Sequence, residues 1–139
     1  MAQIKWKAKQ DILDEQLEKS KVSKIAQSNA DLESFFLTHP LLYNGKYYNV
    51  TKEKRDLLNS ALALYNLKLL SGQIPIFKWN STGDRCEEMS IEDGTALAIS
   101  IGDYVEPYVV QQQDIELRLK TCSTIEELEN VVIDYETTA

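Results

Sequence analysis

From Ser90 to Cys122 the apolar positions recur at helical spacing. Leu97, Ile101, Tyr104, Tyr108, Ile115 and Leu119 stand three, four or seven residues apart and so share one helical face. Pro107 falls inside this run, yet the stripe keeps its phase on either side of it. The pattern predicts one long helix, kinked where the proline ring removes the bond to the Asp103 carbonyl.

The rest of the chain supplies the elements around that helix. Residues 4–28 read as a charged helix with a narrow apolar face at Ile12, Leu13 and Leu17, and with Val22 and Ile25 less regularly placed. Ser28, Asn29 and Asp31 are expected to interrupt it, with Asp31 capping a short helix through Leu32, Phe35, Phe36 and Leu37 that ends at Pro40. Asn44-Gly45 between aromatic neighbours predicts a type I′ hairpin over 42–50. Thr51 caps a helix over 52–71 that Gly72 closes. Leu58, Leu62, Tyr65 and Leu69 mark one face of it, and Ala61, Leu64 and Leu70 widen the apolar arc, which predicts burial between two layers. Ile74–Trp79 and Arg85–Met89 read as a second hairpin over 74–89, with Pro75 marking an edge or a strand start. Ser90 caps the long helix, Glu92 and Asp93 suit its first turn, and Gly94 and Gly102 weaken it. Ser123-Thr124-Ile125-Glu126 fits a capping box for a last helix through Leu128, Val131 and Val132, and the tail from Glu136 to Ala139 is expected to fray. The fold class is therefore α+β, mainly α: a long kinked core helix (91–121) packed on a second core helix (52–71), with two small β-hairpins covering an edge. The organisation is an N-terminal charged helix over 1–30 and a compact body over 31–139, one domain overall.

Composition narrows function by exclusion. With 139 residues, 43% hydrophobic and 27% charged, the chain can bury a core and is not of disordered type. No apolar run is long enough for a bilayer, and the start lacks a signal-peptide pattern, so synthesis in a cytoplasm and free thiols at Cys86 and Cys122 are expected. The net charge of −7 is uneven. Residues 1–55 hold ten Lys or Arg against seven Asp or Glu, a balance of +3, and residues 56–139 hold five against fifteen, a balance of −10. An acidic body argues against nucleic acid as a partner, since phosphate binding needs clustered Lys and Arg. The asymmetry reads as ordinary surface charge, with head-to-tail association as the sharper alternative.

Candidate chemistry is sparse. His39 is the single histidine, no Cys-x-x-Cys occurs, and no P-loop, dinucleotide fingerprint or nucleophile elbow is present. The acidic pairs Glu87-Glu88 and Glu92-Asp93 suit solvated or helix-start roles at least as well as a hard cation. No catalytic, cofactor-binding or metal-binding residue is assigned, and no cofactor is expected. Tyr47, Tyr48 and Trp79 read first as aromatics closing the end of a core, with stacking on a sugar or a base as the second reading. Trp6, a lone aromatic in a polar context, is weighed evenly between anchoring a partner and packing on its own domain.

The order of these features resembles the DUF4376-type domain of bacteriophage and prophage tail proteins. A charged helix leads to Tyr43-Asn44-Gly45-Lys46-Tyr47-Tyr48-Asn49-Val50-Thr51, then to a core helix and to Ile74-Pro75-Ile76-Phe77-Lys78-Trp79 before a Gly-containing turn. Met89-Ser90-Ile91-Glu92 resembles the family's helix opening, and Leu117 to Leu128 its closing helix, break and final helix. The chain departs from the pattern at Pro107. The resemblance implies a non-enzymatic structural protein of a virion tail or tail-like particle, made in the bacterial host cytoplasm. It would bind other tail proteins at the baseplate or tail-fibre attachment, with Trp6, Tyr47, Tyr48 and Trp79 as partner contacts. No nucleic acid or membrane partner is implied, and a homo-oligomer within the assembly stays open. The alternative function is a tail-fibre assembly chaperone absent from the finished particle.

Overall fold

The computed structural model describes residues 2–137, with side chains from Lys9 onward. Among them are four helices and two separate two-stranded antiparallel sheets, and a long core helix packs on another helix. In chain order these are α1 (Ala2–Thr38), β1 (Leu41–Tyr43), β2 (Lys46–Tyr48), α2 (Lys52–Leu70), β3 (Lys78–Trp79), β4 (Glu87–Glu88), α3 (Ile91–Thr121) and α4 (Ile125–Glu129). The chain divides into two compact units, one of Met1–Leu32 with Tyr108–Ala139 and one of Glu33–Pro107.

In the first unit the charged stretch of α1 meets the second half of α3, α4 and the tail. The break expected at Ser28 does not occur, because α1 is continuous from Ala2 to Thr38. Ser28 Oγ donates to the Ile25 carbonyl at 2.7 Å and Asn29 Nδ2 to the same oxygen at 3.3 Å, so both side chains bond back onto the helix instead of ending it. Ser28 is fully buried, and Gln112 Nε2 of α3 donates to its hydroxyl at 3.2 Å. Gln112 fills the gap between Tyr108 and Ile115 in the apolar stripe, and it is buried as deeply as an apolar residue there. Leu32, Ile115, Leu119, Cys122, Leu128 and Tyr135 are buried in the same unit.

The capping turn before α4 is shifted by one residue from the sequence expectation. Thr124 is the N-cap and accepts from the Glu127 amide at 3.1 Å, while Glu127 Oε2 accepts from the Ser123 amide at 2.8 Å. The helix then stops at Glu129 instead of continuing through Val131 and Val132. The Leu128 carbonyl accepts the Val131 amide at 3.2 Å in a tightened last turn and Lys24 Nζ at 2.6 Å, and Gln111 Nε2 donates to the Asp134 carbonyl at 2.7 Å. Tyr135 turns inward, donating its hydroxyl to the Ser28 carbonyl at 2.9 Å. The frayed tail expected from Glu136 concerns, at Thr138 and Ala139, positions outside the described residues.

The second unit carries both hairpins, α2, the end of α1 and the first half of α3. Asn44 (φ 49°) and Gly45 (φ 78°) both take positive φ, as a type I′ turn requires, and Leu41, Leu42 and Tyr43 pair with Tyr48, Tyr47 and Lys46. Thr51 caps α2, and Gly72 (φ 84°) follows its end. Glu33 reinforces the start of α2: its Oε2 accepts the Lys52 amide at 3.0 Å. The α3 helix runs unbroken past Pro107, and Ser90 Oγ caps it by accepting the Asp93 amide at 3.0 Å.

The second hairpin is much shorter than expected. Only Lys78–Trp79 and Glu87–Glu88 pair as strands, extended by a single bond from the Met89 amide to the Phe77 carbonyl at 3.0 Å. Pro75 offers no donor, and Ile74 is 96% exposed, so nothing holds the Ile74–Ile76 stretch in a ladder. Phe77 instead drives its ring against α3. A Cβ at Gly94 would stand 2.4 Å from Phe77 Cε1, so the glycine is there to admit the ring.

Candidate interaction surface

The two hairpins of the second unit meet. Thr82, in the turn between β3 and β4, donates its amide (2.8 Å) and its hydroxyl (2.7 Å) to the Tyr47 carbonyl, and Lys46 Nζ stands 3.9 Å from Glu87 Oε2. That turn is itself set by Gly83 (φ 78°) and by Ser81 Oγ donating to Asp84 Oδ2 at 2.5 Å. The backbone of Tyr47 is therefore fixed from outside its own strand, while its side chain stays 54% exposed. Leu42, its cross-strand partner, is exposed as well. Together they form an apolar pair on the solvent face of the first hairpin.

The other aromatics named from sequence have different roles. Tyr48 points to the opposite face and is buried, edge-on to Tyr43 at 6.3 Å, so it offers no ring to a partner. Trp79 is half-buried with Lys54 Nζ 4.5 Å from its ring centre, and the same ammonium donates to Asn80 Oδ1 at 2.9 Å. That cation occupies the position a ligand cation would need over the ring. Trp6 lies outside the residues whose side chains are described.

His39 is a structural residue. Its ring stacks on Phe35 with centroids 3.9 Å apart, its Nδ1 lies 2.9 Å from the Phe35 carbonyl, and its own carbonyl accepts from the Tyr104 hydroxyl at 2.8 Å. The open start of α2, a place where an anion can bind, is closed by the Glu33 carboxylate. Among the described residues no group of three or more His, Cys, Asp or Glu is arranged to hold a metal ion, and no helix is long and apolar enough to cross a membrane. Cys86, exposed, and Cys122, buried, are both free.

Sequence reasoning missed a long exposed apolar run in this unit. Instead of lying between two layers, α2 buries only Leu58 fully; Leu57, Leu64, Leu67, Leu69 and Leu70 remain exposed. Ile74 and Ile76 extend the apolar run beyond the helix. A signal for this was present: from Leu57 to Phe77 the only charged residue is Lys68. A wide arc and a low charge content do not say whether one side or two will be covered.

No family model matches this chain, and no curated protein or solved structure matches it either.

Proposed function

We propose that this chain is a non-enzymatic interaction component of a phage or phage-tail-like particle, binding another tail protein at the baseplate or tail-fibre attachment. The tail setting rests on the order of sequence features that resembles the DUF4376-type domain. The observation that carries the interaction role is Tyr47, an exposed aromatic whose backbone is held by two hydrogen bonds from the neighbouring turn. With its backbone already held, Tyr47 has only its side-chain torsions left to fix on docking, and tyrosine is among the residue types that dominate binding energy at interfaces. Leu42 beside it supplies apolar area for the same contact.

The test is a pull-down with tagged protein from cells expressing the surrounding tail genes, paired with peptide counting in purified particles. Recovery with a baseplate or fibre protein, presence in particles, and loss of both on Tyr47→Ala are expected. Recovery with fibre protein but absence from particles replaces the structural role with that of a chaperone. Recovery of no tail protein in either sample overturns the reading.

A further inference from the structure

The solvent face of α2 carries a seam of its own. Leu57, Ser60, Leu64 and Leu67, continued by the C-terminal cap residue Ser71, follow one another at spacings of three, four, three and four, the repeat by which one helix packs lengthwise on another. Leu57, Leu64 and Leu67 are exposed, and Leu70, 86% exposed, flanks them. The two serines at the remaining seam positions are small enough for close approach of a second helix. The helix that would fill such a seam is absent from this unit, since the covered side of α2 is the one bearing Leu58.

We propose that a second copy of this chain covers this seam, α2 against α2 about a two-fold axis. Size argues for it. At roughly 100 Å² of apolar surface per fully exposed Leu or Ile side chain, Leu57, Leu64, Leu67, Leu70, Ile74 and Ile76 bare on the order of 400 Å² at their observed exposures. Two copies contribute about 800 Å², and since homodimer interfaces are about 65% apolar, the whole contact comes to about 1,200 Å², the low end of a specific, stable interface. A two-fold arrangement makes the same patch serve both sides, so no second complementary surface is needed.

Charge argues the same way. Two copies of a chain of net charge −7 repel wherever their acidic surfaces face each other. The seam is the place where that repulsion is absent, because Lys68 is the only charged residue between Leu57 and Phe77. An anionic lipid surface is a poorer occupant, for it attracts clusters of Lys and Arg, and this stretch has none. The inference goes beyond the Tyr47 contact and uses different residues, so either can fail alone.

Sedimentation equilibrium of the full chain over a range of concentrations tests it. The expected result is a monomer–dimer equilibrium approaching twice the 15.9 kDa chain mass. The double substitution Leu64→Glu and Leu67→Glu should weaken it at least tenfold while leaving far-UV circular dichroism, and the melting curve of the dilute monomer, close to those of the unsubstituted chain, since both side chains are exposed in the monomer. Val22→Glu, on the exposed face of α1, should leave it intact. A chain that remains monomeric at its solubility limit overturns the proposal, as does a dimer that the double substitution does not weaken. Protection of α2 amides from exchange only on adding a tail protein or lipid vesicles also overturns it, and assigns the seam to that other occupant. Failure of the unsubstituted chain to capture any tail protein, with the dimer intact, refutes the Tyr47 reading alone.

Discussion

The helix that looks solvated and the helix that looks buried exchange roles. In the first unit, the Lys- and Glu-rich α1 sends its polar atoms inward: Lys21 and Lys24 donate to the Lys120 and Leu128 carbonyls, and Ser28 ties Gln112 to Tyr135. In the second unit, the Leu-rich α2 sends much of its apolar surface outward. The difference teaches that composition reports what a helix carries, not which side is covered. Long lysine side chains can reach carbonyls at the ends of neighbouring helices, and leucines stay exposed when the layer that would cover them is missing.

Two substitutions in the second unit separate these kinds of apolar residue most sharply. Phe36 is fully buried with the Arg55 guanidinium 5.5 Å from its ring centre, so Phe36→Ala should cost about 3–5 kcal/mol in urea unfolding. Leu70→Ala, measured on the dilute monomer, should stay within about 0.5 kcal/mol, because its side chain already faces water. A loss of 2 kcal/mol or more at Leu70, an approximate bound for burial of such a side chain, would show that the exposed seam is already covered within the chain.

Much of this frame was legible in sequence because local chemistry decided it. Asn44-Gly45, Thr51, Gly72 and Ser90 specify their turns and caps whatever surrounds them, and the α3 stripe marks its buried face. What failed was decided by distant partners. Ser28 looks like a helix breaker until Gln112 and Tyr135 bury it, and Gly94 looks like a weak point until the Phe77 ring lands on it. The β3–β4 pairing ends at the bond between Met89 and Phe77 because Pro75 offers no donor beyond it, while the Phe77 ring packs on α3. At the candidate surface, Tyr47 and Tyr48 are adjacent and chemically identical; strand register alone sends one to water and the other to the core.

The polar ties of the first unit can be broken at Tyr135. Burial, and next the negative charge of Asp31, raise its pKa from 10.0 to about 12, while the Ser28 side chain pulls the other way. The folded state therefore holds the phenolic proton more tightly than the unfolded chain does. The associated stability is fully present below pH 10 and is lost as pH rises toward 12. Tyr135→Phe should cost about 1 kcal/mol at neutral pH through the lost bond to the Ser28 carbonyl. It should also flatten the fall in unfolding free energy between pH 10 and 12. Equal slopes for the two proteins across that window would contradict the burial of the hydroxyl.

The smallest expected effect probes the inward reach of α1. Lys24 Nζ donates to the Leu128 carbonyl within α4, whose next residue is its last. A cation there adds a second donor to an oxygen that otherwise holds only the Val131 amide at 3.2 Å, and also meets the negative end of the helix dipole. Lys24→Met keeps the apolar stem and removes only the ammonium. The expected loss is about 0.5–1 kcal/mol, shrinking with added salt as the dipole contribution is screened. Because the bond is local, faster amide exchange should appear first in α4 and the Val131–Tyr135 segment, while α2 and the hairpins keep their protection. Uniform acceleration through both units would mean that Lys24 supports the whole fold and not the end of one short helix. No change anywhere would mean that water replaces the ammonium at no cost, leaving the Ser28, Gln112 and Tyr135 bonds as the polar ties that matter in this unit.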